Sequence, residues 1–193
     1  MTPLYGLVLA GGKSQRLGMD KTKIKWHGKE QRYYLADLLK KYCADVFISC
    51  KAEQEQEINE HNYKTIKDEI NASGPASAIL CGYRNFPGVA WLVVACDLPF
   101  LDDDTIQYLI QSRNPSTIAT AYESSIDHLP EPLIAIWETQ ANRLLEEELQ
   151  KNSFSLRNFL LQNGICLLVA QDAKTLINVN YSEELEEIRQ TFS

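Results

Sequence analysis

Two short apolar runs, Leu4 to Ala10 and Ala90 to Cys96, show no alternation of apolar with polar residues. A strand with one wet face alternates, so these runs predict strands buried on both faces, as in a parallel sheet covered by helices. Each ends at once in residues that cannot prolong a strand: Gly11-Gly12 after the first, Asp97-Leu98-Pro99 after the second. Helical patterns separate the strands. They are expected at residues 30–41, 52–61, from Gly74-Pro75 onward, from Asp102 or Asp103, and at 141–150, 155–161 and 182–189. Further strands are expected at 45–50, 63–67, 116–121, 133–137, 165–170 and 176–179. Pro130-Glu131-Pro132 reads as a turn that blocks regular structure. Strands alternating with helices predict an α/β fold with a largely parallel central sheet.

At 193 residues the chain suits one compact domain, residues 1–193, without an internal linker or repeat. With 45% hydrophobic and 23% charged residues, neither disorder nor a fibrous fold is indicated. The net charge of -7 gives no broad attraction for nucleic acid or an anionic membrane, though local cations can still hold a small anion. No stretch approaches the ~18 apolar residues of a membrane span. The first apolar run lacks a basic region before it, which argues against a secretory signal. Five cysteines without a CxxC pair read as buried thiols in a reducing compartment rather than a disulfide framework or zinc site. The expected location is cytoplasmic.

Leu9 to Lys21, LAGGKSQRLGMDK, is the most informative segment. A buried strand runs into Gly11, Gly12 and Gly18, where the backbone can bend sharply and a ligand can approach the amides. Successive N–H groups there can cradle oxyanions, and Lys13, Arg16, Lys21 and Ser14 add cations and a hydroxyl. On its residues alone, the segment is either such a cradle or a glycine-rich turn with solvated charges. It is not a Walker A loop, which would need glycine where Leu7 stands, and no GxGxxG spacing occurs. Asp97, at the end of the second apolar run, is either a metal carboxylate at a strand end or a helix cap or turn former. Asp102-Asp103-Asp104 reads as a helix start, and His27, His61 and His128 as surface or packing residues.

The same segment resembles the signature of the MobA-like nucleotidyltransferases, whose archetype is a molybdenum cofactor guanylyltransferase. The shared features are Leu9-Ala10-Gly11-Gly12, Ser14, Arg16, Gly18 and Asp20-Lys21. Asp68 with Gly74-Pro75, Cys96-Asp97-Leu98-Pro99-Phe100, Glu131-Pro132-Leu133, Ser155 to Leu160, and Asn178-Val179-Asn180 resemble further family segments in the expected order. Departures occur at Ala76-Ser77-Ala78-Ile79, beside the nucleotide pocket, and at Tyr181-Ser182, near the acceptor end, where the family usually has threonine-proline.

The resemblance implies a Rossmann-like nucleotidyltransferase fold, a three-layer αβα sandwich. It implies transfer of GMP from GTP to molybdopterin-bound molybdenum cofactor, with release of pyrophosphate. Leu9, Ala10, Gly11, Gly12, Ser14, Lys21, Asp68, Gly74, Pro75 and Asp97 would bind the nucleotide. Lys21, Arg16 and Asp97 would be catalytic, with Asp97 holding Mg²⁺, while Arg157, Asn178 and Asn180 would meet the acceptor. A molybdoenzyme or its chaperone is the implied downstream partner. Rival readings are a related transferase using CTP or another nucleotide with a different phosphorylated acceptor, and a non-catalytic nucleotide-binding protein.

Overall fold

The computed structural model describes residues 2–11, 21–68, 74–149 and 154–179. Seven strands form one sheet: β1 (Leu4–Leu9), β2 (Asp45–Cys50), β3 (Lys64–Lys67), β4 (Ala90–Ala95), β5 (Ala119–Glu123), β6 (Pro130–Trp137) and β7 (Ile165–Leu168). Their order across the sheet is β3-β2-β1-β4-β6-β5-β7. All neighbouring pairs are parallel except those made by β6, which runs against both β4 and β5.

The helices are α1 (Gln31–Leu39), α2 (Ala52–Glu60), α3 (Pro75–Asn85), α4 (Asp103–Gln111), α5 (Ala141–Leu149) and α6 (Leu156–Gln162). They divide between the two faces because successive strand residues point opposite ways. Ala90, Leu92 and Val94 of β4 join Leu35 and Leu39 of α1, Ile58 of α2, and Ile106 and Leu109 of α4 in one core. Trp91 and Val93 join Ile79 and Tyr83 of α3, Leu145 of α5 and Phe159 of α6 in the other. Every residue of β4 is buried, as its unbroken apolar run required. The result is the expected three-layer αβα sandwich around a mostly parallel sheet.

Helix starts follow local chemistry. Asp102 caps α4 by accepting the Thr105 N–H at 2.9 Å, so the three-aspartate run is indeed a helix start. Ser155 caps α6 through Asn158 N. All five cysteines are free thiols.

Three sequence expectations need correction. Pro130-Glu131-Pro132 is not a turn outside the sheet but the beginning of β6. Proline lacks a ladder donor and is tolerated at a strand's first residue or at a bulge. Both conditions hold: Pro130 opens the strand, and the register against β5 shifts between Ala121 and Tyr122. The Pro132 carbonyl accepts Trp137 Nε1–H at 3.0 Å. Strand β5 begins at Ala119 rather than Ser116, because Asn114 folds residues 114–117 into a turn: its Oδ1 accepts Ser116 N at 3.1 Å and its carbonyl accepts Thr117 Oγ1 at 2.8 Å. Residues 176–179 form no strand. Asp172 instead caps a short 3-10 helix, Ala173–Leu176, by accepting Lys174 N at 2.9 Å. The expected helix at 182–189 lies outside the described residues.

The close approach of α3 to β4 depends on Gly82. A Cβ added there would stand 3.0 Å from Trp91 Cε2 and 3.2 Å from Cζ2. Trp91 is fully buried and has no room to retreat. Gly82→Val is therefore expected to lower stability by about 1–3 kcal/mol through overpacking, read as a lower urea midpoint at unchanged m-value.

Candidate active site

The sheet reverses its direction of growth at β1, which lies between β2 and β4. In open α/β sheets the crevice at such a reversal, outside the carboxyl ends of the strands, is where ligands collect. The register identifies what stands there. Leu9 pairs with Ala95, so two residues further on Gly11 leaves β1 where Asp97 leaves β4. Adjacent strands lie about 4.8 Å apart, which brings the glycine turn and the carboxylate to one edge of the sheet. Ala10 is 1% exposed and donates its N–H to Ser49 O at 2.9 Å, fixing the exit of β1. Among the described residues, a Cβ at Gly11 would meet nothing within 4 Å.

Asp97 is half-buried as a residue, yet its Oδ1 atom is buried and accepts no hydrogen bond among the described residues. Burial pushes the Asp97 carboxyl above the usual aspartate range, and the Lys21 ammonium pulls it part of the way back. Lys21 opens a short 3-10 helix, Lys21–Lys23, and donates Nζ–H to Val179 O at 2.7 Å. Val179 in turn donates its N–H to Asp97 O at 2.9 Å. Lys21, Asp97 and the segment bearing Asn178 thus meet through one buried residue.

On the other flank of β1, Asp68 follows β3 and donates its N–H to Cys50 O at 3.0 Å. The Ser77 hydroxyl lies 2.9 Å from Asp68 Oδ2 and 2.7 Å from Gly74 O. Gly74 is the residue before α3, with φ of 117°, a conformation side chains rarely adopt. Pro75 then supplies the first turn, where its missing N–H costs nothing. Ser77, which the sequence offered only as a departure from a pattern, therefore ties Asp68 to the start of α3.

A cleft of about 340 Å³ runs from Pro75 and Ala76 to Arg157 and Asn178. Pro75 and Ala76 line one side, Glu131 and Arg157 another, and Asn178 a third. The antiparallel course of β6 explains the meeting: Val94 pairs with Ile134, so residues 130–132 extend past the carboxyl end of β4. Arg157 donates Nη2–H to Glu131 Oε1 at 2.5 Å and Nη1–H to Asp127 Oδ2 at 2.7 Å. Burial raises the Glu131 carboxyl, with Arg157 opposing.

The structure thus brings together Leu9, Ala10, Gly11, Lys21, Asp68, Gly74, Pro75, Asp97, Arg157 and Asn178 along one edge. Gly12, Ser14, Arg16 and Asn180 lie outside the described residues. Of the histidines, His27 stacks on Tyr34, His61 packs beside Tyr33, and exposed His128 meets Glu123. Among the described residues no helix is long and apolar enough to cross a membrane.

The comparisons agree with this geometry. The model of the MobA-like NTP transferase domain matches residues 6–164. A "Molybdenum cofactor biosynthesis bifunctional protein" of Synechocystis is 36% identical over 97% of this chain, which spans about half (54%) of that relative. A "Probable molybdenum cofactor guanylyltransferase" of Bacillus licheniformis is 26% identical, with 96% of each chain covered. The crystal structure of molybdopterin-guanine dinucleotide biosynthesis protein A from Archaeoglobus fulgidus superposes with a TM-score of 0.79 at 20% identity, covering 97% of both chains, and so shares the fold. With the family model spanning most of its length and a relative 36% identical over 97% of it, this chain belongs to the MobA-like NTP transferase family.

Proposed function

We propose that this protein transfers GMP from GTP to molybdopterin-bound molybdenum cofactor and releases pyrophosphate. The observation that carries the proposal is the chain of contacts Lys21–Val179–Asp97 at the crevice beyond β1 and β4, beside a cleft that ends at Arg157 and Asn178. The names of the relatives support the choice of nucleotide and acceptor.

An acceptor phosphate oxygen forms a bond to the α-phosphorus of GTP. The bond from that phosphorus to the β-bridging oxygen breaks, and its electron pair leaves with pyrophosphate. An acceptor phosphate is already anionic at neutral pH, so no strong general base is required. The remaining task is to align two anions and balance the charge on the transferred and leaving oxygens. Gly11 and the turn after it would let the triphosphate approach the backbone closely. Lys21 would exchange the Val179 carbonyl for a phosphate oxygen. Arg16 would assist the leaving group, and Asp68 with Gly74 and Pro75 would border the nucleoside. Arg157, Asn178 and Asn180 would hold the acceptor.

A hard divalent cation suits Asp97, whose buried Oδ1 lacks a hydrogen-bond donor among the described residues. Among the described residues no cluster of three or more His, Cys, Asp or Glu side chains could hold a metal by itself. Mg²⁺ bound there with a nucleotide would neutralise phosphate charge, taking its other ligands from phosphate and water.

The test is pyrophosphate release by purified protein with Mg²⁺ and GTP, CTP or ATP, each with and without molybdopterin. Release is expected only when GTP and molybdopterin are both present. Release with CTP and another phosphorylated acceptor would move the chain to a different transferase activity. Arg157→Met is expected to raise the acceptor KM about tenfold or more, the worth of one charged hydrogen bond, with little change in the KM for GTP.

A further inference from the structure

Three successive carbonyls of the Asp97 turn are held by three residues from two distant parts of the chain, Val179 and the segment that carries His27 and Gln31. Val179 N–H donates to Asp97 O at 2.9 Å. Gln31 Nε2–H donates to Leu98 O at 2.9 Å, and His27 Nε2 lies 2.9 Å from Pro99 O. A carbonyl only accepts, so that histidine nitrogen carries the hydrogen. Strand β4 ends at Ala95, so the sheet ladder offers this turn nothing.

Gln31 is the central pin. Its side chain has no exposed surface, and Leu98 beneath it is 2% exposed. The other donor to the Leu98 carbonyl, Leu101 N, stands at 3.4 Å, a poor distance for a backbone bond. Without the Gln31 amide, a buried carbonyl would be left with that weak partner, and the turn that carries Asp97 would lose its buried tether. Gln31 is itself anchored, because its N–H donates to Ile24 O at 2.9 Å, just after the Lys21 turn. His27 is exposed, but its ring is fixed by stacking on Tyr34 at 3.8 Å between centroids.

We propose that Gln31 and His27 are positioning residues of the nucleotide–metal site, holding the Leu98 and Pro99 carbonyls so that the Asp97 carboxylate keeps the orientation a divalent ion needs. The inference rests on the reading of Asp97 as a metal carboxylate. Groups that support a ligand in this way set metal affinity without touching the metal, and their loss costs about tenfold or more.

The experiment measures GTP affinity of the full chain with and without Mn²⁺, taking the ratio of the two Kd values as the metal-linked gain. Asp97→Asn should abolish that gain. Gln31→Met, which keeps the length and drops the amide, should reduce it about tenfold while the metal-free Kd for GTP moves less than about twofold. His27→Phe keeps the stack on Tyr34 and should cost a smaller part, at least about twofold. A purely structural Gln31 would weaken both Kd values together, and that result, or an unchanged gain in Gln31→Met, overturns the proposal. Should Gln31→Met fail to fold, His27→Phe at its exposed position decides: a reduced gain supports the proposal and an unchanged one overturns it. A gain that survives Asp97→Asn sinks the metal reading instead, so the two failures are distinct.

Discussion

Asp97→Asn is expected to lower turnover by at least about a hundredfold, while the variant stays folded and melts at a higher temperature than the parent at neutral pH. The two effects share a cause. Asp97 Oδ1 is buried without a hydrogen bond among the described residues, and burial lifts its carboxyl above the ordinary range. A folded-state pKa above the unfolded one means that the native state binds the proton more tightly. The ionised carboxylate therefore costs stability, and the cost grows as pH climbs from the usual aspartate range through the raised value. Asparagine keeps the shape and removes the charge. Its gain in Tm should be present at pH 7 and fade on acidification toward about pH 4, where the unfolded parent also begins to protonate. Thermal melts across that range, paired with pyrophosphate assays, check both halves. A variant that melts lower at pH 7 and still turns over would remove Asp97 from the site.

Arg113→Met is expected to cost about 3–5 kcal/mol, because it breaks a buried ion pair from one side. Glu138 follows β6 and its side chain is 2% exposed. Arg113, after α4, donates Nε–H to Glu138 Oε1 at 2.6 Å and Nη2–H to Oε2 at 2.9 Å, a two-point fork between planar groups. A third donor, Nη1, reaches Thr2 O at 3.2 Å and so ties in the residues before β1. The Glu138 backbone is equally committed: its carbonyl accepts the Tyr83 hydroxyl at 2.6 Å, and its N–H donates to Ile118 O at 2.9 Å. Methionine fills the space of the arginine stem but leaves a buried carboxylate alone. In a chain of this size the loss should lower Tm by roughly 6–20 °C. The double variant Arg113→Met/Glu138→Gln should regain much of it, because the stranded charge is then gone. A single variant within about 1 kcal/mol of the parent would contradict this account.

The parts of the fold set by local pattern were legible in the residues. β1 and β4 are apolar throughout and end at glycine or aspartate, so both their burial on two faces and their position at the ligand edge followed from the run itself. Asp102 and Ser155 stand where helices start, and both cap. What was hidden depended on distant partners. The prolines of β6 look like a turn until the strand is seen to run antiparallel with a register shift, which tolerates two residues lacking N–H groups. Leu176 to Val179 look like a strand, but β4 is already flanked by β1 and β6, and Val179 instead bonds the carbonyl of Asp97 beyond the sheet.

The site divides in the same way. Asp97 stood out as a carboxylate at the end of a buried strand, and Lys21 as a cation closing the glycine-rich segment that begins at Leu9. Gln31 and Ser77 did not, since an ordinary polar residue near the start of a helix gives no sign that its side chain will bond a carbonyl or carboxylate from another segment. His27 reads in the sequence as a surface or packing residue, and its bond to Pro99 O could not be seen without the fold.

A crystal structure with Mg²⁺ and a non-hydrolysable GTP analogue shows whether nucleotide and ion meet at the β1–β4 crevice. The triphosphate should lie against the turn at Gly11, Lys21 Nζ should have left the Val179 carbonyl for a phosphate oxygen, and an Asp97 oxygen should sit about 2.1 Å from the ion. A nucleotide bound away from the β1–β4 crevice, or an ion coordinated on its phosphates with Asp97 uninvolved, would contradict this geometry.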